Sequence, residues 1–253
     1  MMDFGLEDRV AVVTGAGAGT GLAIAHALAS AGVHVVLVAR TRAAVEDAAA
    51  AIRAAGGRAE ARACDVTDRP AVRALFEALP RLDILVNNAG TNRPEPFVSV
   101  RDEDLDAVVD LNMRATFVVA QAAVRKMLSG GAEAFGGAVV INVSSQMGHV
   151  GAADRTVYCM TKHAVEGLTR SMAVELAPRG IRVVSLAPTF VDTPLIRRIV
   201  DTPAKRDALV GRIPMGRMAD EDDVAAAAVH LASPHAGMVT GTSILVDGGW
   251  TAQ

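Results

Sequence analysis

Short apolar runs alternate along the chain with longer stretches in which apolar residues recur at helical spacing. The short runs are rich in β-branched residues and predict about seven strands, at residues 10–14, 33–39, 59–64, 82–87, 138–144, 182–187 and 243–246. The longer stretches predict helices at residues 21–31, 43–55, 70–78, 102–127 and 156–177. Because parallel strands need crossover connections, this alternation predicts an α/β fold, a doubly wound parallel sheet with helices on both faces.

The first two predicted strands are apolar at nearly every position, over residues 10–13 and 35–38. A strand with one face in solvent would alternate polar and apolar residues, so these runs indicate a sheet that is covered on both faces. In such sheets, ligands bind beyond the carboxyl ends of the strands, where the strand order reverses. We therefore expect the site residues just after the predicted strands.

The stretch 188–222 interrupts the alternation of strands and helices. It carries Pro194, Pro203 and Pro214 among short helical patterns, which favours a loop or lid over the site within one domain spanning residues 1–253. Its basic residues could serve an acidic substrate, or they could lie on solvated helix faces interspersed with acids, and we favour the second interpretation. They are Arg197, Arg198, Lys205, Arg206, Arg212 and Arg217.

The composition and net charge of the chain limit the classes of partner that the protein is expected to bind. Of the 253 residues, 51% are hydrophobic, and the net charge of −3 leaves no basic field for nucleic acid. The N-terminus has no cationic flank before an apolar run, and longer apolar stretches are broken before the ~18 residues that a membrane span needs. Cys64 and Cys159 lack metal-ligand spacing. We expect a cytoplasmic protein with no nucleic-acid partner, no membrane span and no metal.

A glycine-rich turn follows the first predicted strand. Glycines permit a tight turn and close approach of the backbone to a pyrophosphate, and the start of the next helix offers N–H donors. The spacing is T-G-x-x-x-G-x-G, which alone is a weak signal, although its place after the first strand strengthens it. The residues expected to contact a dinucleotide are Thr14, Gly15, Gly17, Gly19, Thr20 and Gly21.

Tyr158 and Lys162 form the second candidate motif. They are four residues apart in a predicted helix, so their side chains lie on one face with Cβ atoms about 5–6 Å apart. An ammonium beside a phenol stabilises the phenolate and lowers the pKa of the phenol, which suits acid/base chemistry. On its own such a pair is more often a surface feature, so its meaning depends on the other motifs.

These motifs, in this order, resemble the short-chain dehydrogenase/reductase family. Besides the glycine turn and Tyr158-x-x-x-Lys162, the resemblance rests on the Asn-Asn-Ala-Gly sequence at 87–90, on Asn112 and on Ser145. It covers residues 9–249. It implies a Rossmann-like fold, hydride transfer between a nicotinamide and a carbonyl or secondary alcohol, and a homotetramer that uses helices 102–127 and 156–177.

The resemblance also implies the catalytic roles. Tyr158 exchanges a proton with the substrate oxygen, Lys162 stabilises the phenolate and holds the nicotinamide ribose, and Ser145 hydrogen-bonds the substrate oxygen. Ser145 is selected over Ser144 because family members place this serine thirteen residues before the tyrosine. Asn112 is implied to bind a water that links Lys162 to solvent, although a polar residue in an apolar helix could equally make structural hydrogen bonds.

Further cofactor contacts are implied by the same resemblance. The adenine is expected at Asp65 and Val66, and the nicotinamide carboxamide near the end of the sixth strand, where Thr189 replaces the glycine usual in relatives. The other contacts implied are Asn87, Asn88, Ala89, Gly90, Pro188, Val191 and Thr193.

The end of the second strand bears on cofactor choice. Relatives that prefer NAD carry an acid at the position of Ala39, and here Arg40 follows with Arg42 nearby. A guanidinium can bind a phosphate with two hydrogen bonds, which favours NADP(H) over NAD(H) unless both arginines are merely solvated.

The substrate is expected to be a small carbonyl or alcohol compound. A ketone or 3-oxoacyl reductase is the favoured class, a sugar or polyol dehydrogenase is the alternative, and a non-catalytic dinucleotide sensor ranks far behind because the Asn-Ser-Tyr-Lys set is complete. The residues expected to line the pocket are Met147, His149, Thr189, Phe190 and Leu195.

Overall fold

The computed structural model describes residues 4–130, 137–193, 196–197 and 200–253. Within them, seven strands form one parallel sheet in the order β3-β2-β1-β4-β5-β6-β7. This confirms the predicted doubly wound sheet, and each strand lies within two residues of its predicted bounds. The strands are β1 (Val10–Thr14), β2 (His34–Ala39), β3 (Arg58–Ala63), β4 (Ile84–Asn87), β5 (Ala138–Val143), β6 (Ile181–Pro188) and β7 (Ser243–Val246).

Helices cover both faces of the sheet. One face carries α1 (Gly19–Ser30), α2 (Arg42–Ala54) and α8 (Glu221–Ala232). The other carries α3 (Arg69–Glu77), α4 (Asp102–Val109), α5 (Thr116–Ser129) and α6 (Thr156–Leu176), and α7 (Pro203–Val210) lies between β6 and β7 in sequence.

The apolar strands supply both layers of the core. Side chains alternate along a strand, so Val13 and Leu37 face the layer of α1, α2 and α8, whereas Val12 and Val36 face the layer of α3, α5 and α6. All four are 2% exposed or less. A strand apolar at every position is therefore buried on both faces, as the sequence indicates.

The strand order reverses between β1 and β4, which are neighbours in the sheet. From β1 the chain proceeds outward to β2 and β3, and from β4 it proceeds in the opposite direction to β7. The connections after β1 and β4 therefore diverge and leave a crevice at the carboxyl ends of these strands.

The predicted helix at 102–127 differs in detail from the structure. A π-helical turn, Asp110–Ala115, separates α4 from α5. By length and composition alone, the segment Asp102–Ser129 is apolar enough to cross a membrane, with a mean hydropathy of 1.3 over an 18-residue window. Charged residues still interrupt its apolar stretch, at Arg114 and Arg125. In the fold, however, α5 packs on the sheet, with Val119, Ala120 and Ala123 in the core.

The segment after β6 covers the site end of the sheet. Its described part contains α7 and is held by a cluster in which Ile213 and Met218 pack with Trp250 near the C-terminus. Four of its basic residues lie in ion pairs with aspartates, which supports the interpretation of solvated helix faces; these are Arg197, Lys205, Arg206 and Arg217. The Arg212 guanidinium stacks on Trp250, 4.3 Å from the ring centre. Arg198 lies outside the described residues.

Candidate active site

Thr14 and Asn88 join the carboxyl ends of β1 and β4. The Thr14 hydroxyl accepts hydrogen bonds from the backbone N–H groups of Asn88 and Ala89, at 3.0 and 3.1 Å. The Asn88 amide donates to the Thr14 carbonyl at 2.9 Å. Both predicted cofactor residues therefore also fix the crevice where the strand order reverses.

The glycine turn leaves no room for side chains beneath it. Gly15 has φ of 68°, a conformation that favours glycine, and a Cβ atom on Gly21 would lie 2.4 Å from the Asn88 amide nitrogen. Helix α1 starts after Ala18, which offers no side-chain cap to the first N–H groups of the helix. A backbone cradle with uncapped helical donors fits a pyrophosphate, so the residues present fit a dinucleotide.

The adenosine end of the predicted site lies at β2 and β3. Arg40 is exposed directly after β2, and Val66 is buried after β3. The Asp65 carboxylate accepts hydrogen bonds from the backbone and hydroxyl of Thr67, at 2.9 and 2.7 Å. Burial raises the pKa of Asp65, but these hydrogen bonds and the nearby Arg40 charge outweigh it and hold the pKa below its usual value. An anionic acceptor and a guanidinium thus lie together at this end.

Tyr158 and Lys162 lie on one face of α6, as predicted, with the Lys162 ammonium 5.5 Å from the ring centre. The ammonium donates to the Val143 carbonyl at 2.8 Å. Burial lowers the pKa of Lys162 to about 8, partly offset by the negative charge of Glu166. Burial also raises the pKa of Tyr158 to about 12, despite a hydrogen bond with Ser145 that lowers it. In the protein chain by itself, burial thus outweighs the groups that lower the pKa of the phenol, and stabilisation of the phenolate by Lys162 stays a prediction.

Ser145 begins a short turn after β5. Its hydroxyl accepts a hydrogen bond from the Met147 backbone at 3.1 Å and faces Tyr158. The turn places Ser145 and Tyr158 on the same pocket wall, which is the pairing that the thirteen-residue spacing predicts.

Two predicted asparagines are engaged inside the protein. The Asn112 amide accepts from the Thr91 backbone at 2.8 Å and donates to the Thr91 carbonyl and the Thr161 hydroxyl. These three bonds tie the Asn112 amide to Thr91 and Thr161, which supports the structural alternative for Asn112. Asn87 donates to the Thr116 carbonyl at 2.9 Å and is 4% exposed, so its side chain is engaged inside the protein, and its cofactor contact stays a prediction.

A pocket of about 280 Å³ lies at the carboxyl ends of β4, β5 and β6. Most predicted residues near the nicotinamide line it: Thr20, Asn88, Gly90, Ser145, Met147, Tyr158, Lys162, Pro188, Thr189, Phe190, Val191 and Thr193. His149 does not, because the short turn carries its ring to the Ser243 hydroxyl, 2.9 Å away. This corrects the prediction for His149, and Leu195 lies outside the described residues.

The pocket also contains residues that the sequence analysis did not place there: Thr91, Asn92 and Gln146, and also Ser144, over which Ser145 was selected. The Gln146 side chain is 1% exposed, and neither of its amide atoms has a hydrogen-bond partner among the described residues. The Ser144 and Thr189 hydroxyls are likewise buried without a partner there. The sequence contained one signal that Gln146 belongs to the pocket, namely its position directly after Ser145.

Comparison with known proteins agrees with this geometry. A family model described as enoyl-(acyl carrier protein) reductase matches residues 15–251. D-threitol dehydrogenase from Mycolicibacterium smegmatis is 40% identical, over 99% of this chain and 96% of that protein. L-xylulose reductase from Mus musculus is 39% identical, over 99% of this chain and all of that protein. The chain belongs to the short-chain dehydrogenase/reductase family.

Solved structures of short-chain dehydrogenases/reductases have the same fold. A gluconate 5-dehydrogenase from Burkholderia cenocepacia in complex with NADP and tartrate is 35% identical with a TM-score of 0.93, covering 99% of this chain and 98% of that one. A 3-ketoacyl-(acyl-carrier-protein) reductase from Brucella melitensis complexed with NADH is 36% identical with a TM-score of 0.89, covering 97% and 99%. This short-chain dehydrogenase/reductase is therefore an NAD(P)-dependent oxidoreductase acting on alcohol and carbonyl groups.

Proposed function

We propose that this enzyme interconverts a secondary alcohol and a ketone in a sugar or polyol. The observation that carries the proposal is the polar wall beside Tyr158, where Ser144, Gln146 and Thr189 have buried atoms without hydrogen-bond partners among the described residues. Each unpaired buried polar group costs about 1–3 kcal/mol. A substrate with several hydroxyls would satisfy these groups, whereas an acyl chain would leave them unpaired.

The relatives support the same class, since two of them are named for threitol and xylulose and a third for gluconate. The ketone or 3-oxoacyl reductase that the sequence favours is the second candidate. It is supported by the apolar side chains of Met147 and Phe190 on the pocket wall and by the ketoacyl reductase among the similar structures.

The side chains of the site have distinct roles in this proposal. Tyr158 donates a proton to the carbonyl oxygen in reduction and accepts the hydroxyl proton in oxidation. Ser145 hydrogen-bonds the same oxygen and stabilises the charge that develops on it. The Lys162 ammonium stabilises the phenolate of Tyr158. The bound nicotinamide supplies the chemistry of hydride exchange with the substrate carbon.

The cofactor is proposed to be NADP(H) in preference to NAD(H). Arg40 is exposed directly after β2, where its guanidinium could bind a 2′-phosphate with two hydrogen bonds, and Ala39 offers no carboxylate to repel one. Arg42 is paired with Glu46 at 3.3 Å, so Arg40 is the better candidate of the two. The dinucleotide contacts proposed at the glycine turn and at Asp65 serve either cofactor.

We also propose that the enzyme works in the cytoplasm as a homotetramer, with no nucleic-acid or membrane partner. An apolar groove of about 430 Å³ beside α5 and α6 supports the assembly, since Phe117, Val118 and Leu168 line it and Phe117 is 50% exposed. Arg69, Arg73 and Arg114 also line this groove. Apolar side chains in such a groove would be buried by a second copy of the chain.

A substrate panel tests the proposed activity. Purified protein is mixed with NADPH or NADH and with four- and five-carbon ketoses, a 3-oxoacyl thioester and a simple ketone, and nicotinamide absorbance is followed. The reverse direction uses the oxidised cofactors with the matching polyols. We expect the highest kcat/KM with a ketose or polyol and NADP(H). A higher kcat/KM with the thioester would contradict the substrate class, and a preference for NADH would contradict only the role of Arg40.

A further inference from the structure

A row of buried polar side chains crosses four neighbouring strands beneath the site. The row is in register, since Asn142 lies beside Asn87 and Ser185, and Ser185 lies beside Ser243. The Asn142 amide donates to the Thr169 hydroxyl on α6 at 3.0 Å. Helix α6, which carries Tyr158 and Lys162, thus meets polar groups on a face of the sheet where apolar residues such as Val140 and Val183 also pack.

Glu166 is the charged member that α6 contributes to this row. It is 2% exposed, and its carboxylate accepts hydrogen bonds from Ser185 at 2.8 Å and Ser243 at 3.3 Å. The His149 ring nitrogen lies 3.4 Å from the same carboxylate. Burying a carboxylate costs free energy unless it is hydrogen-bonded, and a neutral side chain at this position would avoid that cost. The presence of a buried charge at Glu166 therefore requires an explanation.

Lys162 explains the buried charge of Glu166, because its ammonium group is carried one helical turn before Glu166. The Lys162 ammonium is 6% exposed and donates to the Val143 carbonyl, a neutral acceptor. Burial destabilises the charged form of Lys162, and the negative charge of Glu166 acts in the opposite direction. A carboxylate in the same poorly solvated interior therefore helps to keep the ammonium charged.

Glu166 also contacts the turn that carries Ser145. A Cβ atom on Gly148 would lie 3.1 Å from Cγ of Glu166 and 3.1 Å from the Lys162 carbonyl, so the turn rests directly on α6. His149, the next residue, reaches Glu166 and Ser243. The carboxylate of Glu166, on the helix of Lys162, thus contacts His149 beside the Ser145 turn and the strands β6 and β7.

We propose that Glu166 is a positioning residue of the reaction, whose buried carboxylate keeps Lys162 charged and holds the turn of Ser145 on α6. This inference rests on the proposed function, because it assigns Glu166 a role through the proposed catalytic pair. The groups that face Lys162 and Glu166 come from several elements. Tyr158 lies on α6 and His149 on the turn after β5, while β5, β6 and β7 contribute the neutral Val143 carbonyl, Ser185 and Ser243.

The titration of Lys162 tests the charge directly and without substrate. The chain has three lysines, Lys126, Lys162 and Lys205, so isotope-labelled lysine gives few NMR signals, which Lys126→Arg and Lys205→Arg variants assign. In Glu166→Gln, we expect the midpoint of Lys162 to fall by roughly half to one pH unit. An unchanged midpoint in a folded Glu166→Gln protein would overturn the proposal.

Thr169→Val is the matched control, because Thr169 is a buried member of the same polar row on α6 and carries no charge. Its Lys162 midpoint should equal that of the unsubstituted protein. An equal fall of the Lys162 midpoint in Glu166→Gln and Thr169→Val would mean that the disturbed packing, and not the lost charge, lowers the pKa of Lys162. Glu166→Asp, which keeps the charge, should restore most of the midpoint.

If Glu166→Gln does not fold, the double variant Ser185→Ala/Ser243→Ala gives a second test. It removes both hydroxyl donors from the carboxylate and disfavours its charged form, so the Lys162 midpoint should again fall. An unchanged midpoint would contradict the proposal.

Kinetics then link the charge to the reaction. Because the ammonium is lost as pH rises through its pKa, a lower pKa of Lys162 should move the alkaline fall of kcat/KM to lower pH in Glu166→Gln. A purely structural defect would lower kcat by the same factor at every pH. If no substrate is turned over even by the unsubstituted protein, the proposed function fails, while the NMR titration still decides the role of Glu166.

Discussion

At the scale of single residues, burial dominates the Tyr158 and Lys162 pair. Burial lowers the pKa of Lys162 to about 8 and raises the pKa of Tyr158 to about 12, so in the protein chain alone both groups are neutral between these values. The ammonium is then lost before the phenol ionises. The negative charge of Glu166 already acts on Lys162 in this state, and without it the pKa of the ammonium would be lower still, so limiting the loss of the ammonium is the part we assign to Glu166.

The first prediction concerns the ionisation of Tyr158, the single tyrosine of the chain. Phenolate absorbance in the near ultraviolet therefore reports this residue alone. In the unliganded protein we expect little phenolate at the pH where a free tyrosine is half ionised, near pH ~10. The spectrum of Tyr158→Phe provides the baseline. A phenolate midpoint at or below that pH would show that burial does not control the group.

The second prediction concerns Gln146, whose unpaired amide supports the proposed substrate class. In Gln146→Leu we expect kcat/KM for a polyol to fall about 10- to 100-fold, because a hydroxyl of the substrate loses its partner. For a simple secondary alcohol of similar length, kcat/KM should change less than about 3-fold. Equal losses for both substrates would argue against a hydrogen bond from Gln146 to the substrate.

At the scale of secondary structure elements, the sequence predicts the parts that depend on local pattern. Strands such as β1 and β2 are recognisable because burial on both faces requires an apolar residue at each position. The glycine turn and the pair on α6 are recognisable because their spacing fixes their geometry. The Ser145 turn was placed by resemblance, and the pocket in the structure contains it beside Tyr158.

Other elements depend on contacts between distant parts of the chain. The π-helical turn at Asp110–Ala115 interrupts a sequence that reads as one continuous helix, and the Asn112 side chain within it bonds to Thr91 and Thr161. The buried polar row requires the register of four strands, which no local pattern contains. Helix α8 was not predicted, although Asp220 and Asp223 form a capping box at its start.

The third prediction tests how closely the Ser145 turn rests on α6. In Gly148→Ala, the new methyl group would meet the Ser144 hydroxyl at 2.9 Å and the Lys162 carbonyl at 3.1 Å. We expect a loss of about 1–3 kcal/mol in unfolding free energy and a lower kcat, since the turn must move away from the helix. Gly151→Ala is the control, because a Cβ atom there meets nothing within 4 Å. Equal stability and kcat in Gly148→Ala and Gly151→Ala would contradict the close contact between the turn and α6.

At the scale of the whole molecule, the two faces of the sheet differ in what covers them. On one face, α1 packs against α8. On the other, α5 and α6 leave the apolar groove that contains Phe117, and Met160 on α6 is 48% exposed. The catalytic pair lies on α6, so association through this face would hold the helix that carries the chemistry. The assembly and the active site are then supported by the same element.

The last prediction follows from that arrangement. We expect light scattering to show a tetramer for the unsubstituted protein. In Phe117→Glu, the largest apolar side chain of the groove is replaced by a charged one, so the apolar surface available for association is lost and the protein should dissociate into smaller species. Ala50→Glu, on the exposed side of α2 at the opposite face of the sheet, is the control and should remain a tetramer. A monomeric unsubstituted protein, or a tetramer that persists in Phe117→Glu, would exclude this groove as the interface. Because α6 contributes to the groove, the dissociated form should also have a lower kcat, measured at the concentration used for scattering.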